Sequence, residues 1–410
     1  DFTSYYVQYL ASSYKASDND IYENVDRSTF WYNVYNTIQD CRNMREIAEE
    51  KNANHHIGVA KLMEALNMSI AIDLFGDMPY SKAWNPTDIQ PVYDKAEDIF
   101  NKLIILIDES INEFNKTDVA LELDPSSDLI HGGNTKLWIK TAYTLKARLL
   151  NRLSKTAKYN PSEILSALSK GYSSNADDAQ ITQFAGRSPW NNISYRNTVL
   201  LLDGWLSNQI VNNLNGDTYG VVDPRLPFIA SPNINGNYAG TRNGAGSIGN
   251  STSKLESYLF IDGFYSGSGA PLLISTFSEA KFIEAEASFA FDKDQSYQAY
   301  LDGIKANMEK IGVPPSQITA YLSNPVVAVG SANFTKQLIF KEKYIAMILQ
   351  PESWTDVRRF DYQYKDFTLP VSSLLPEFIR RIGYPTSELS RNKQNVPLVS
   401  SLKERLWWDK

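Results

Sequence analysis

The side chains most often recruited for chemistry are scarce in this chain: three histidines, His55, His56 and His131, and one cysteine, Cys41. His55 and His56 are adjacent, so on a helix their side chains point about 100° apart and cannot share a metal. No His-Glu-x-x-His pattern supplies a zinc site. A single cysteine excludes an internal disulfide and any cysteine-based zinc site. Cys41 sits in the helical-looking stretch from Tyr35 to Ile47 and reads as a small buried hydrophobe. The chain has no Gly-x-Ser-x-Gly elbow, no Walker loop and no dinucleotide fingerprint; Gly244 and Gly246 do not stand between a strand and a helix. Carboxylates are plentiful, and a glycosidase needs two of them facing across a cleft. Glu284 and Glu286, however, are two apart on a helix, do not share a face, and read as structural or solvated groups. The sequence therefore nominates no catalytic residue, no metal ligand and no cofactor.

Aromatic side chains are abundant: 24 Tyr, 18 Phe and 8 Trp. Tyr and Trp combine a flat apolar face with a polar edge. Most of them must fill a core, but a few are suited to stack on the C–H faces of sugar rings. By residue type, Trp190, Tyr195, Tyr238 and Arg242 are candidates for such a site. They lie in a stretch from about 186 to 270 that is rich in Gly, Asn, Ser and Tyr. Loops of this length are usually functional or disordered. The interleaved Phe228, Tyr258, Phe264 and Tyr265 favour order, so long ordered loops with short strands are expected here. The net charge is −7 and no run of Lys and Arg occurs, which sets nucleic acid aside.

The elements that must position these residues are mainly helices. From Val59 to Phe75, Leu62, Met63, Leu66, Ile70 and Leu74 recur at spacings of three and four, and Gly76, Asp77 and Pro79 stop the helix. Asp94 with Glu97 predicts a capping box for the next helix, whose core face is Ile99, Leu103, Ile107, Ile111 and Phe114. Further helices are expected from Asn134, from Asn160-Pro161, and at Ser278–Phe291, Asp294–Ile311 and Asn333–Leu349. Adjacent helices of similar length imply an all-α, tetratricopeptide-like repeat scaffold of about four helix pairs, with long loops and a few short strands. The expected layout is one unit over 1–410. Its scaffold covers mainly 28–170 and 277–350, its loop-rich insert 186–270, and an irregular segment 351–410. The longest purely apolar runs are about five residues, against the roughly 20 that a membrane-spanning helix needs. The chain opens at Asp1-Phe2 without a signal pattern, which fits either a cytoplasmic protein or one whose export segment has been removed.

Several segments, in order, resemble the SusD-like family of nutrient-binding proteins (SusD/RagB), and in particular its shorter second branch. They are Ile72-Asp73-Leu74-Phe75-Gly76-Asp77-Met78-Pro79-Tyr80-Ser81-Lys82-Ala83; Asp128 to Asn134 with Trp138 and Leu145-Lys146-Ala147-Arg148; Asp223-Pro224-Arg225-Leu226; Gly236 to Gly240; Phe282 to Ala287; Glu352 to Arg359; Arg380 to Pro385 with Glu388 and Asn392; and Leu406-Trp407-Trp408-Asp409. Two departures stand out: Ile382-Gly383 replaces a Pro-Arg-like step before Tyr384, and the amino-terminal lipoprotein cysteine is absent. Most of these signatures read as scaffold. Gly76 to Pro79 turn the chain, Arg358-Arg359 bridge helices, and Trp407-Trp408 pin the carboxyl terminus.

The resemblance implies a non-catalytic binding protein on the extracellular face of the outer membrane, held by an amino-terminal lipid anchor that lies outside this chain. It implies a SusC-like TonB-dependent transporter as partner, which the protein caps as a lid, and an oligosaccharide as ligand. Regions that carry ligand contacts in relatives match Asp18 and Asn19 in an early loop and Trp84 and Asn85 after Tyr80. A peptide ligand on the same architecture is the first alternative, and a glycosidase the second.

Overall fold

The computed structural model describes residues 2–85, 87–198, 205–248 and 254–410. The chain folds as two compact units, Asn24–Gly171 with Phe378–Lys410, and Asp1–Glu23 with Tyr172–Glu377.

In the first of these, five helices follow one another: α1 (Ser28–Glu50), α2 (Asn54–Phe75), α3 (Ala96–Phe114), α4 (Thr135–Arg152) and α5 (Pro161–Leu168). Each packs on the next, the arrangement of stacked helix hairpins. α3 shows why: Ile99, Leu103, Ile107, Ile111 and Phe114 form one buried stripe, and Phe114 reaches α2 over Gly58, where a Cβ would stand 2.8 Å from the ring. α2 is buried along most of its length, so its periodicity is broader than one face. It begins at Asn54, five residues before the apolar pattern starts, and ends at Gly76, whose φ of 86° favours glycine. Asn134 and Asn160 cap α4 and α5 with their side chains.

The predicted capping box at Asp94 does not form. Asp94 turns back instead, accepting hydrogen bonds from Tyr80 N at 3.0 Å, Ser81 N at 2.8 Å and Ser81 Oγ at 2.7 Å. The α3 cap comes from Asp77, which accepts the Ala96 amide at 2.9 Å and binds Lys95 at 2.8 Å. Cys41 is half-buried rather than buried, and burial together with the nearby Glu64 and Asp40 carboxylates pushes its thiol up to about 11. The carboxyl terminus is pinned as expected. Trp408 is buried, Trp407 lies edge-on to Phe100, and Asp409 binds Lys155 at 2.9 Å and Arg380 at 3.0 Å.

The other unit contains α6 (Pro189–Thr198), α7 (Asn208–Asn215), α8 (Phe277–Ser288), α9 (Lys293–Ile311), α10 (Pro315–Leu322), α11 (Lys336–Ala346) and α12 (Glu352–Arg359). α9 packs on α8, α10 and α11, and α11 also meets α8 and α12. Four two-residue strands pair in the order Leu10–Ala11, Trp205–Leu206, Tyr258–Leu259, Ala230–Ser231, all antiparallel; Ala179–Ile181 pairs separately with Leu272–Ser275. α6 and α7 were not anticipated in the loop-rich stretch. Asn-rich α7 hides its helical signal, yet Ser207 caps it and Ile210, Val211 and Leu214 are buried.

Consecutive residues of α11 feed two buried ionic clusters. Lys341 and Glu342 join Arg225, Asp223 and Tyr321. Lys343 bridges Glu286 at 2.7 Å and Asp356 at 2.9 Å, and Arg359 closes the ring to both acids at 2.7 and 2.6 Å. Each cluster holds two acids and two bases. Arg359 makes the bridge between helices that the sequence suggested, from α12 to Glu286 on α8, while the Arg358 guanidinium lies 3.9 Å over the Trp354 ring of its own helix. Among the described residues no helix is long and apolar enough to cross a membrane.

Candidate functional site

Trp84 and Asn85 belong to the unit of α1–α5. The chain leaving α2 is held by a two-way backbone bridge between Met78 and Asp94 (3.2 and 2.9 Å) and by the Asp94 carboxylate bonds just described. Hydrogen bonds from Ser81 and the Tyr80 amide hold the Asp94 carboxyl below its ordinary range, against the opposing effect of its partial burial. This turn fixes Tyr80, whose buried hydroxyl donates to Glu64 Oε1 at 2.9 Å. Trp84 then lies edge-on to Tyr80 (5.6 Å, 89°) and beside Tyr35 (5.8 Å). Tyr35 in turn donates to Pro79 O at 2.6 Å.

One face of the indole is covered by the Arg42 guanidinium, 3.5 Å from the ring centroid. Arg42 is aimed by Glu64 Oε1, which accepts from Nε at 3.0 Å and Nη2 at 2.6 Å, while Arg45 stands 3.6 Å from Glu64 Oε2. The indole is half-buried, with Arg42 over one face and the rings of Tyr80 and Tyr35 beside it. Asn85 is exposed, but its carboxamide oxygen accepts from Thr87 N (3.1 Å) and Thr87 Oγ1 (2.8 Å), so it shapes its own loop. Tyr32, 65% exposed, stands one turn before Tyr35 on α1. Sequence reasoning singled out neither Tyr32 nor the Arg42–Glu64 pair; the signal available was Tyr32, Tyr35 and Arg42 recurring on one helix face.

The other six candidates lie in the second unit. Asp18 is exposed and Asn19 half-buried, and the neighbouring Asp20 is buried as a clasp. Asp20 Oδ2 accepts from Ser12 N at 3.1 Å and Gly244 N at 2.7 Å, and its other oxygen accepts from Asn243 Nδ2. Asn243 also donates to Leu10 O at 2.9 Å. These bonds bring the loop bearing Asp18 and Asn19 against the loop bearing the exposed Arg242. Tyr14, missed in the sequence, is 55% exposed beside them, its backbone packed on Gly246. Its signal was an aromatic set among Ser12, Ser13 and Lys15 with no apolar neighbour.

Tyr238 is half-buried on the Asn233–Asn237 turn, where Asn233 Oδ1 accepts from the amides of Asn235 and Asn237 at 3.0 Å. Trp190 and Tyr195 flank the buried stripe of α6, Asn191 and Ser194, which bonds to Ser266 O at 2.7 and 3.1 Å. At five residues' separation the two aromatics do not share a face. The Arg187 guanidinium lies 3.7 Å over the Tyr195 ring. The structure thus gathers Asp18, Asn19 and Arg242 in neighbouring loops and does not place Trp190 and Tyr195 on one platform. Among the described residues no group of three or more His, Cys, Asp or Glu side chains could hold a metal.

Stacked helix hairpins carrying loop-borne aromatic–arginine surfaces define a helical-repeat scaffold protein. The second SusD-like family, described as "Starch-binding associating with outer membrane", has a profile that matches residues 1–385, and the chain belongs to that family. Solved structures share its fold. A chitin-binding SusD homologue from Flavobacterium johnsoniae aligns over 99% of this chain and 92% of its own, with a TM-score of 0.82 at 22% identity. A SusD homologue from Bacteroides uniformis aligns over 100% and 95% (TM-score 0.82, 21% identity). A SusD/RagB family protein from Bacteroides thetaiotaomicron aligns over 100% and 94% (TM-score 0.82, 20% identity). No curated protein matches the sequence.

Proposed function

We propose that this protein is a non-catalytic surface binding protein that captures an oligosaccharide and delivers it to a SusC-like TonB-dependent transporter. It is held at the extracellular face of the outer membrane by a lipid anchor amino-terminal to this chain. The observation that carries the binding half of this reading is the Trp84 platform. Its indole is braced on one face by Arg42 and along its edge by Tyr80, which suits the other face to the flat C–H surface of a sugar ring. A rigid aromatic loses little conformational freedom on binding. Tyr32 on α1, one turn before Tyr35, and Lys82, two residues before Trp84, are exposed.

The chemistry around Trp84 favours binding over turnover. Glu64 is occupied by hydrogen bonds from Arg42 and Tyr80 with Arg45 alongside, and Asp94 is held below its ordinary range although its partial burial opposes this, by hydrogen bonds from Ser81 and the Tyr80 amide. The family's description as starch-binding and outer-membrane-associated, and the chitin-binding relative, support a glycan as ligand. Asp18, Asn19, Tyr14 and Arg242 form a second candidate surface in the other unit.

The test is calorimetry with matched panels of malto-oligosaccharides, chito-oligosaccharides and oligopeptides, with chromatography of the glycans after incubation. The expected result is saturable heat with a glycan, intact glycan afterwards, and affinity about tenfold weaker in Trp84→Ala. Heat with peptides alone, or cleavage of the glycan, overturns the reading. Unchanged affinity in both Trp84→Ala and Trp190→Ala removes the aromatic candidates from the site.

A further inference from the structure

We infer that Glu64 is a positioning residue for the Trp84 platform: through Arg42 it fixes the indole in the unliganded protein. The inference rests on reading Trp84 as the ligand-facing ring. Glu64 lies on α2, buried to 1% exposure, and touches neither Trp84 nor the surface. A buried carboxylate needs compensation by charge and hydrogen bonds, and Glu64 receives it from one direction. Arg42 Nε and Nη2 both donate to Oε1, Tyr80 Oη donates to the same atom, and Arg45 approaches Oε2.

Two N–H donors of Arg42 converge on one oxygen, which anchors the Nε–Nη2 side of the guanidinium at Glu64. From there its central carbon stands 3.5 Å from the indole centroid and 5.3 Å from the Tyr80 ring centroid. Glu64 therefore sets both walls of the Trp84 seat: the cation beneath the ring through Arg42, and the aromatic edge through the Tyr80 hydroxyl. Burial and the Glu64 carboxylate also push that hydroxyl well above its ordinary pKa, so it stays a donor throughout the working range. An arginine with four rotatable bonds and no such partner would lose entropy to hold this stack. With Glu64 in place the ordering is built into the fold, and a ligand meets a ring already held.

The alternative role for Glu64 is ordinary packing between α1 and α2, and the two are separable. The protein is labelled with 5-fluorotryptophan, and the Trp84 fluorine resonance is assigned by its absence in Trp84→Phe. In Glu64→Ala, with no ligand present, the Trp84 resonance is expected to shift and broaden while the resonances of Trp354 and Trp408 stay in place. Arg42→Lys, which keeps the charge but loses the planar fork, is expected to move the same resonance with Glu64 intact. In the Arg42→Ala background, Glu64→Ala is expected to add only the smaller shift that loss of the Tyr80 hydroxyl contact brings.

Both arginines are partly exposed (side chains 21% and 25%), so in Glu64→Ala they can turn to water and the chain is expected to fold. A Trp84 resonance unchanged in Glu64→Ala or Arg42→Lys overturns the inference. So does a shift spread equally over all tryptophans. In the same variants chitohexaose affinity is expected to fall about fivefold. If Trp84→Ala leaves glycan binding intact, the reading of Trp84 as platform fails, while the fluorine spectra still decide whether Glu64 positions the ring.

Discussion

Arg225 and Glu342, 117 positions apart in the sequence, are in direct ionic contact with neither side chain exposed to solvent. Arg225 also clasps Asp223 with Nε at 2.9 Å and Nη2 at 2.6 Å, and donates through Nη1 to Asn307 at 3.1 Å. The Asp-Pro-Arg-Leu signature thus belongs to the core. Removing one member of a buried ionic group strands the others, at a cost of about 3–5 kcal/mol. Arg225→Ala is accordingly expected to lower unfolding free energy by that amount in urea titrations of the full chain. A loss below about 1 kcal/mol would mean that water or rearranged neighbours replace the guanidinium.

The same cluster makes stability depend on pH. Burial alone would raise the Glu342 carboxyl, but the Lys341 ammonium and the Arg225 guanidinium outweigh it and hold it at about 2. Lys343 and Arg359 likewise keep Asp356 below its ordinary range. A group whose folded pKa is depressed contributes stability that is fully present above its unfolded value, about 4.5 for Glu342, and is lost as pH falls towards 2. Denaturant midpoints measured at pH 7, 5.5, 4 and 3 are expected to hold nearly level between the first two and then to fall. Glu342→Gln should be less stable at pH 7 and should show a shallower decline, and a slope as steep as that of the parent would remove Glu342 as its source.

Asp77 rather than Asp94 caps α3, and the two acids should respond differently to substitution. Asp77→Ala leaves the Ala96 amide without its side-chain acceptor and removes a negative charge from the positive end of the helix. The expected loss is about 1 kcal/mol of stability with little effect on Trp84. Asp94→Ala instead releases the Tyr80 and Ser81 amides, so it is expected to disturb the Trp84 seat and weaken glycan binding. Fluorine spectra and thermal midpoints of the two variants distinguish the roles, and equal disturbance of Trp84 by both would refute the division.

These acids also mark what the sequence could and could not disclose. Stripes such as Ile99, Leu103, Ile107 and Ile111 announce their helices because burial repeats at the helical period. Asn134 and Asn160 were legible as caps because each bonds within three residues of itself. Asp77 was not, because it reaches 19 residues along the chain to Ala96. The resemblance marked Trp84, but Arg42 and Glu64, which seat it, sit on two different helices and meet only in the fold. α6 and α7 escaped because short helices rich in Asn and Ser read as loop by composition. Tyr14 escaped too, because it depends on a contact of its backbone with Gly246, between segments more than 200 residues apart.

Gly244 stands in the same loop as Gly246. Its φ is +78°, and a Cβ added there would stand 1.9 Å from Val371 O, part of a backbone that cannot yield as a flexible side chain would. Its amide donates to Asp20 and its carbonyl accepts from Ala16 at 3.0 Å, so the position has neither torsional nor steric room for another residue. Gly244→Ala is expected to pull the 241–248 loop away from Asp20 and to increase amide hydrogen exchange at Ser12, Ala16 and Gly244 itself, since protection follows local opening. Gly236, also at positive φ but with nothing within 4 Å of an added Cβ, provides the control: Gly236→Ala meets strain without collision and should leave the clasp protected. Equal exchange in the two variants would show that torsion alone governs these loops, and protection retained in Gly244→Ala would show that the Asp20 clasp does not hold them together.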